Sequence, residues 1–169
     1  NAEEALITSP DDVGNLVRLG KMHSCDSNGD RMLGLELLTR AWENNKKLGA
    51  AQQKVLKADG EFWRLLGEGS LRTWLRAPFK SREDRLIETA RYCLSLASIH
   101  PENGKNPTLW FELAMAQCAL GEFHEAEKTL AKVITGFPSY EKTSDVIFYA
   151  SMVLQQRKSY HQAVGYLQF

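Results

Sequence analysis

Cysteine is scarce in this chain of 169 residues, neither sign of charge prevails, and no apolar run is long enough to cross a bilayer. The three cysteines, Cys25, Cys93 and Cys118, stand far apart with no C-x-x-C pair. That argues against a disulfide framework or a zinc site and suits a reducing, cytoplasmic compartment. Lys and Arg number 21 against 21 Asp and Glu, which removes the commonest electrostatic reason to expect nucleic acid or anionic lipid as the partner. A membrane span needs about 20 consecutive apolar residues, and no signal peptide opens the sequence. Catalytic signatures are also missing. His23, His100, His124 and His161 are scattered, with no glycine-rich phosphate loop, no His-based metal spacing and no nucleophile elbow. His124-Glu125 is expected to be a solvated surface pair. Neither an enzymatic activity nor a cofactor is expected.

What the chain does contain is helical periodicity, clearest from Asn106 to Pro138. Leu109, Leu113, Ala116 and Leu120 recur at three- and four-residue steps, with Trp110 and Ala114 beside them. After Gly121 comes a second stripe, made of Phe123, Ala126, Leu130, Val133, Ile134 and Phe137. Neither helix could bury its stripe alone, and so short a turn folds the second antiparallel onto the first.

Trp110-x2-Leu113, then Ala126-x3-Leu130, then Val133 and Pro138 resembles the tetratricopeptide repeat (TPR), whose signature is Trp-x2-Leu-Gly-x2-Tyr, Ala-x3-Phe and a closing Pro. Ala114 stands where the family prefers Gly, and Gln117 where it prefers an aromatic. Trp63-x2-Leu66-Gly67 matches the opening most closely, and Leu16-x2-Leu19-Gly20 repeats it with Leu for Trp. Ile147-x2-Ala150 opens a fourth copy, with Ala163 and Leu167 in its second helix. Small-x3-bulky second helices are found at Gly34-x3-Leu38 and Ala90-x3-Leu94. The resemblance covers nearly all of 10–169, after a lead-in of 1–9. Repeats are expected at about 10–45, 59–101, 106–138 and 143–169, the last truncated. Ser9-Pro10-Asp11-Asp12 predicts a helix starting near Pro10.

Leu16, Trp63 and Trp110 lie 47 residues apart, whereas the family repeat is about 34 residues long. The first surplus is placed in Leu48 to Gly60, as a lengthening of the flanking helix. The second is placed in an insert, Glu68 to Arg82, where Pro78 should end any helix and Ser81–Asp84 should start the next. The uncapped apolar end at Phe169 leads us to expect a fragment of a larger protein.

The resemblance implies an all-α fold, antiparallel helix pairs stacked as a right-handed α-solenoid. It also implies a scaffold that binds a partner peptide or protein segment through the concave face of the first helices. Positions one, five and eight after the Trp place share that face: Phe111, Met115 and Cys118 in the third repeat, and Phe148, Met152 and Gln155 in the fourth. They either form an apolar groove suited to a peptide or are core covered by neighbouring helices. Lys21 and Arg64 occupy concave places in the first two repeats, but Glu112 stands where the family's chaperone-tail clamp would need Arg. An Hsp70 or Hsp90 C-terminal tail is therefore not the expected ligand.

Two further features invite a function. Asp26-x-Asn28-x-Asp30 has the spacing of a calcium loop, yet Arg31 replaces the required Gly and Leu37 the bidentate acid. No metal is expected; a plain turn is. In the insert, Arg72, Arg76 and Lys80 recur at four-residue steps around Trp74, Leu75 and Phe79. That stripe is either a contact for an acidic partner or membrane surface, or a solvated face whose aromatics pack down. The alternative function is assembly, stacking with further repeats or another copy through the Ser144–Phe169 edge. An RNA reader built on helical repeats is disfavoured by the zero net charge.

Overall fold

The computed structural model describes residues 9, 11–25 and 29–157, which form eight α-helices. They are α1 Val13–Cys25, α2 Arg31–Asn45, α3 Ala50–Lys57, α4 Gly60–Arg76, α5 Asp84–Ser98, α6 Pro107–Ala119, α7 Phe123–Gly136 and α8 Thr143–Gln156. Short polar side chains fix their starts. Asp12 accepts from the Asn15 N–H at 2.8 Å, Asp59 from Phe62 at 2.9 Å, and Asn106 from Thr108 at 3.0 Å and Leu109 at 3.3 Å. Each satisfies amides that have no partner inside the helix. The first helix accordingly begins at Val13 behind Asp12, three residues later than the Ser9-Pro10 signal predicts.

The helices α1/α2, α4/α5 and α6/α7 are antiparallel pairs. Each second helix also packs on the next first helix, and α1, α4, α6 and α8 touch in series. The first helices therefore make one layer and the second helices another. This is an all-α stack of tetratricopeptide type in which α8 stands in the position of a first helix; the second helix expected after it falls outside the described residues. So do Phe169, the truncated repeat's Ala163 and Leu167, and the 1–8 lead-in.

Close approach within the pairs depends on glycines, Gly20 and Gly34 in the first pair and Gly67 in the second. A Cβ on Gly20 would sit 2.7 Å from Leu38 side-chain atoms, and one on Gly67 2.7 Å from Leu94 Cγ and 3.0 Å from the Leu94 backbone nitrogen. In the third pair the same place holds Ala114, fully buried. Gly121 turns α6 into α7 with φ of +74°, a left-handed conformation that favours glycine. The Glu122 N–H reaches back to the Gln117 carbonyl at 2.9 Å.

The apolar core is largest where the first two pairs meet, with Leu16, Leu38, Leu66, Leu71, Ile87 and Leu94 essentially inaccessible. Trp63 fixes its aromatic part, edge-on to Trp42 at 6.0 Å and to Phe62 at 4.9 Å, while Tyr92 stacks on Trp42 at 5.8 Å. A smaller core joins α6, α7 and α8 around Phe111, Ala126, Leu130, Val133 and Val146.

Both surplus segments differ from expectation. The preceding helix α2 ends at Asn45 and Gly49 caps the start of the next in extended backbone, so Ala50–Lys57 is a separate helix and not an extension; Gln53 ties it back, donating to the Leu48 carbonyl at 2.8 Å. Glu68–Arg82 is not an insert between elements. Through Arg76 it continues α4, because Glu68, Ser70 and Leu71 remain on its buried face. The helix ends before Pro78 as predicted, a short 3-10 turn spans Phe79–Ser81, and α5 starts at Asp84.

Candidate partner-binding surface

The layer formed by α1, α4, α6 and α8 carries every residue expected on the concave face. In its N-terminal half these positions are charged and already paired. Lys21 Nζ on α1 lies 2.8 Å from Asp59 and 2.9 Å from Glu61, bridging α1 to the start of α4. Burial opposes its charge, yet the hydrogen bonds to both carboxylates outweigh that and hold the ammonium above the ordinary lysine value.

Along α4, Arg64 Nη1 holds Glu68 Oε1 at 2.8 Å, and Arg72 approaches Glu68 at 3.5 Å and Glu112 of α6 at 3.7 Å. Glu68 and Glu112 are both buried. The Arg72–Glu112 separation is too long for a hydrogen bond, and Glu112 Oε2 is buried without a partner. Burial first, and then the nearby charge of Glu68, push the Glu112 carboxyl up to about 7, against the pull of Arg72.

The C-terminal half is apolar. Phe111 is only 5% exposed, wedged edge-on between Tyr149 at 5.5 Å and Tyr140 at 6.4 Å. It is core, not groove lining, because α8 and the turn before it close over it. Met115, Cys118 and Met152 are half-buried, and Gln155 is exposed. Phe148, at the place matching Phe111, is 62% exposed. Burial lifts the Cys118 thiol to about 11 and that of Cys93 to about 12, which keeps both in the unreactive thiol form.

The basic stripe does not persist as one surface. Arg72 and Arg76 are on α4, and Lys80 is beyond Pro78 on the 3-10 turn. Trp74 packs half-buried beneath Arg82, whose guanidinium carbon is 4.4 Å from the ring centre, while Phe79 is 85% exposed. In the calcium-like loop Asp30 is engaged otherwise: its carboxylate caps α2, accepting from Met32 at 3.0 Å and Leu33 at 3.1 Å. Asp26 and Asn28 lie outside the described residues. Among the described residues no group of three or more His, Cys, Asp or Glu could hold a metal, and no helix is long and apolar enough to cross a membrane.

The sequence shows the four-residue rhythm Arg64, Glu68, Arg72 but not the arrival of Glu112 from another helix. It also passes over Arg31 and Met32, which join α4 residues around a cavity of about 130 Å³ together with Ser24, Leu65, Glu68, Arg72, Thr73 and Arg76. The one local signal was Arg31 directly after the capping Asp30.

No protein-family model matches the chain, and no curated protein does. Solved structures of MamA share its fold. One crystal structure of MamA superposes at a TM-score of 0.61 and 18% identity, over 99% of this chain and 81% of that one. A point mutant of MamA reaches 0.65 at 19% identity, over 93% and 74%. A thermophilic TPR protein of Thermus thermophilus overlaps at 0.48 and 21%, over 98% and 75%.

Proposed function

We propose that the chain is a protein-interaction scaffold with no chemistry of its own, binding a peptide or protein segment across its layer of first helices in a reducing, intracellular compartment. The observation that carries this reading is Phe148, a large aromatic left 62% exposed on α8, with the half-buried Met152 one helical turn away. An aromatic anchor beside a flexible thioether is the composition of a peptide-receiving surface. Met115, Cys118 and Gln155 extend that surface, and Phe111 supports it from beneath. The charges of the neighbouring α1 and α4 stretch are already paired within the chain.

The test is to recover partners with the chain and with a Phe148→Ser/Met152→Ser variant, both verified as folded by circular dichroism. A partner lost only with the variant supports the reading. Identical partners on both sink it. If the captured species is the chain itself, and sedimentation shows mass rising with concentration only for the unaltered protein, then the partner is a second copy and the assembly role stands.

A further inference from the structure

Where α1, α2 and α4 meet, the cavity of about 130 Å³ has an apolar floor and a cationic rim. Leu65 supplies the floor, and the exposed Met32 forms one wall. Arg31, Arg72 and Arg76 supply the rim, against a single carboxylate, Glu68. In a chain whose charges balance overall, three guanidiniums around one cavity are a local excess. Glu68 and Glu112 answer Arg72, at 3.5 and 3.7 Å, and Glu68 also holds Arg64 at 2.8 Å, so the uncompensated excess rests on Arg31 and Arg76. Among the described residues no carboxylate lies in ion-pair range of Arg31 or Arg76, both exposed. Met32, 60% exposed, stands beside them, its sulfur 3.9 Å from the Thr73 hydroxyl.

We infer that this cavity receives an acidic side chain of a partner peptide, its carboxylate taken by Arg31 and Arg76 and a neighbouring apolar residue resting on Met32 and Leu65. The inference deepens the scaffold reading by naming the partner's chemistry. Guanidinium forks match carboxylates in bidentate geometry. Size and charge favour a side chain over larger anions. The space is well under the roughly 300 Å³ at which small-molecule pockets begin, and Glu68 within it repels a doubly charged phosphate more strongly than a single carboxylate. Nucleic acid would want a longer basic track than one three-arginine rim provides. The site is separate from the Phe148 surface on α8, so a partner could engage both.

Fluorescence anisotropy tests this with a short fluorescein-labelled peptide of glutamate, leucine and serine, and a control with lysine for each glutamate. The expected result is binding of the acidic peptide alone, weakened by added salt. The Arg31→Glu/Arg76→Glu variant should lose at least about tenfold in affinity, and Phe148→Ser should lose little. An Arg31→Gln/Arg76→Gln variant gives the same readout should the charge reversal disturb folding. Equal binding of the two peptides, or unchanged affinity in both arginine variants, overturns the inference. So does a single-stranded RNA or an anionic vesicle binding through the same arginines while the acidic peptide does not. If the peptide fails yet a partner still depends on Phe148, this inference falls and the scaffold reading stands; the converse result reverses that.

Discussion

Phe111 and Phe148 occupy the same place in consecutive first helices, yet one is 5% and the other 62% exposed. Repetition places equivalent side chains in equivalent directions, but the exposure of each copy is set by the next stretch of chain laid against it. Tyr140 and Tyr149 lie over Phe111; over Phe148 no described element closes. The two halves of the layer differ likewise. Around α1 and α4 the repeated positions are consumed by ion pairs, Lys21 with Asp59 and Glu61, Arg64 with Glu68. Around α6 and α8 they are apolar. One half is cross-tied and the other left open.

The sharpest way to break the comparison is to truncate both aromatics. Phe111→Ala should cost about 3–5 kcal/mol, as a buried Phe does, whereas Phe148→Ala should stay within about 0.5 kcal/mol; urea titration of both variants reads the gap. Next come the pair glycines. Gly67→Ala forces a Cβ to 3.0 Å from the Leu94 backbone nitrogen, where no side-chain rotation gives relief, and should destabilise by about 1–3 kcal/mol. The reciprocal Ala114→Gly should cost about 1–2 kcal/mol, from backbone entropy and the lost burial of its methyl.

A third contrast lies in pH. The Glu112 carboxyl is raised from 4.5 to about 7 in the folded chain, so between those values the folded state holds a proton that the unfolded state has released. Stability therefore falls as pH rises from about 4.5 to 7. Glu112→Gln should flatten that slope and leave the protein more stable at pH 8, by on the order of 1–2 kcal/mol; melting temperatures across the range decide it. Smallest is Lys21→Met, which should cost about 1 kcal/mol or less at low salt and less again at high salt. An effect of several kcal/mol would mean that the tie between α1 and α4 is structural to a degree that its part-exposed geometry does not imply.

The all-α fold and the pairing of helices were legible in the sequence because apolar steps, short capping residues and Gly121 are local signals. Trp63-x2-Leu66-Gly67 marks a close helix approach, and Leu94 is found there. Two segments misled for a shared reason. Spacing counts residues but does not say whether a surplus lengthens a helix or breaks it. One broke after Asn45 and restarted behind Gly49, while the buried face of Glu68, Ser70 and Leu71 carried the other forward as α4. The candidate surface was half legible. Which helix face each residue occupies can be read from periodicity, but the burial of Phe111 and the meeting of Glu112 with Arg72 depend on residues dozens of positions away.

The cysteines also give the molecule a built-in optical handle. Cys25 is exposed at the end of α1, one residue beyond Ser24 in the cavity wall, while Cys93 is buried and the half-buried Cys118 is held in its less nucleophilic thiol form. A maleimide dye offered near neutral pH should therefore mark one position, with no cysteine removed or introduced. Its emission would report whatever enters between α1, α2 and α4, so the unaltered chain can serve as its own sensor.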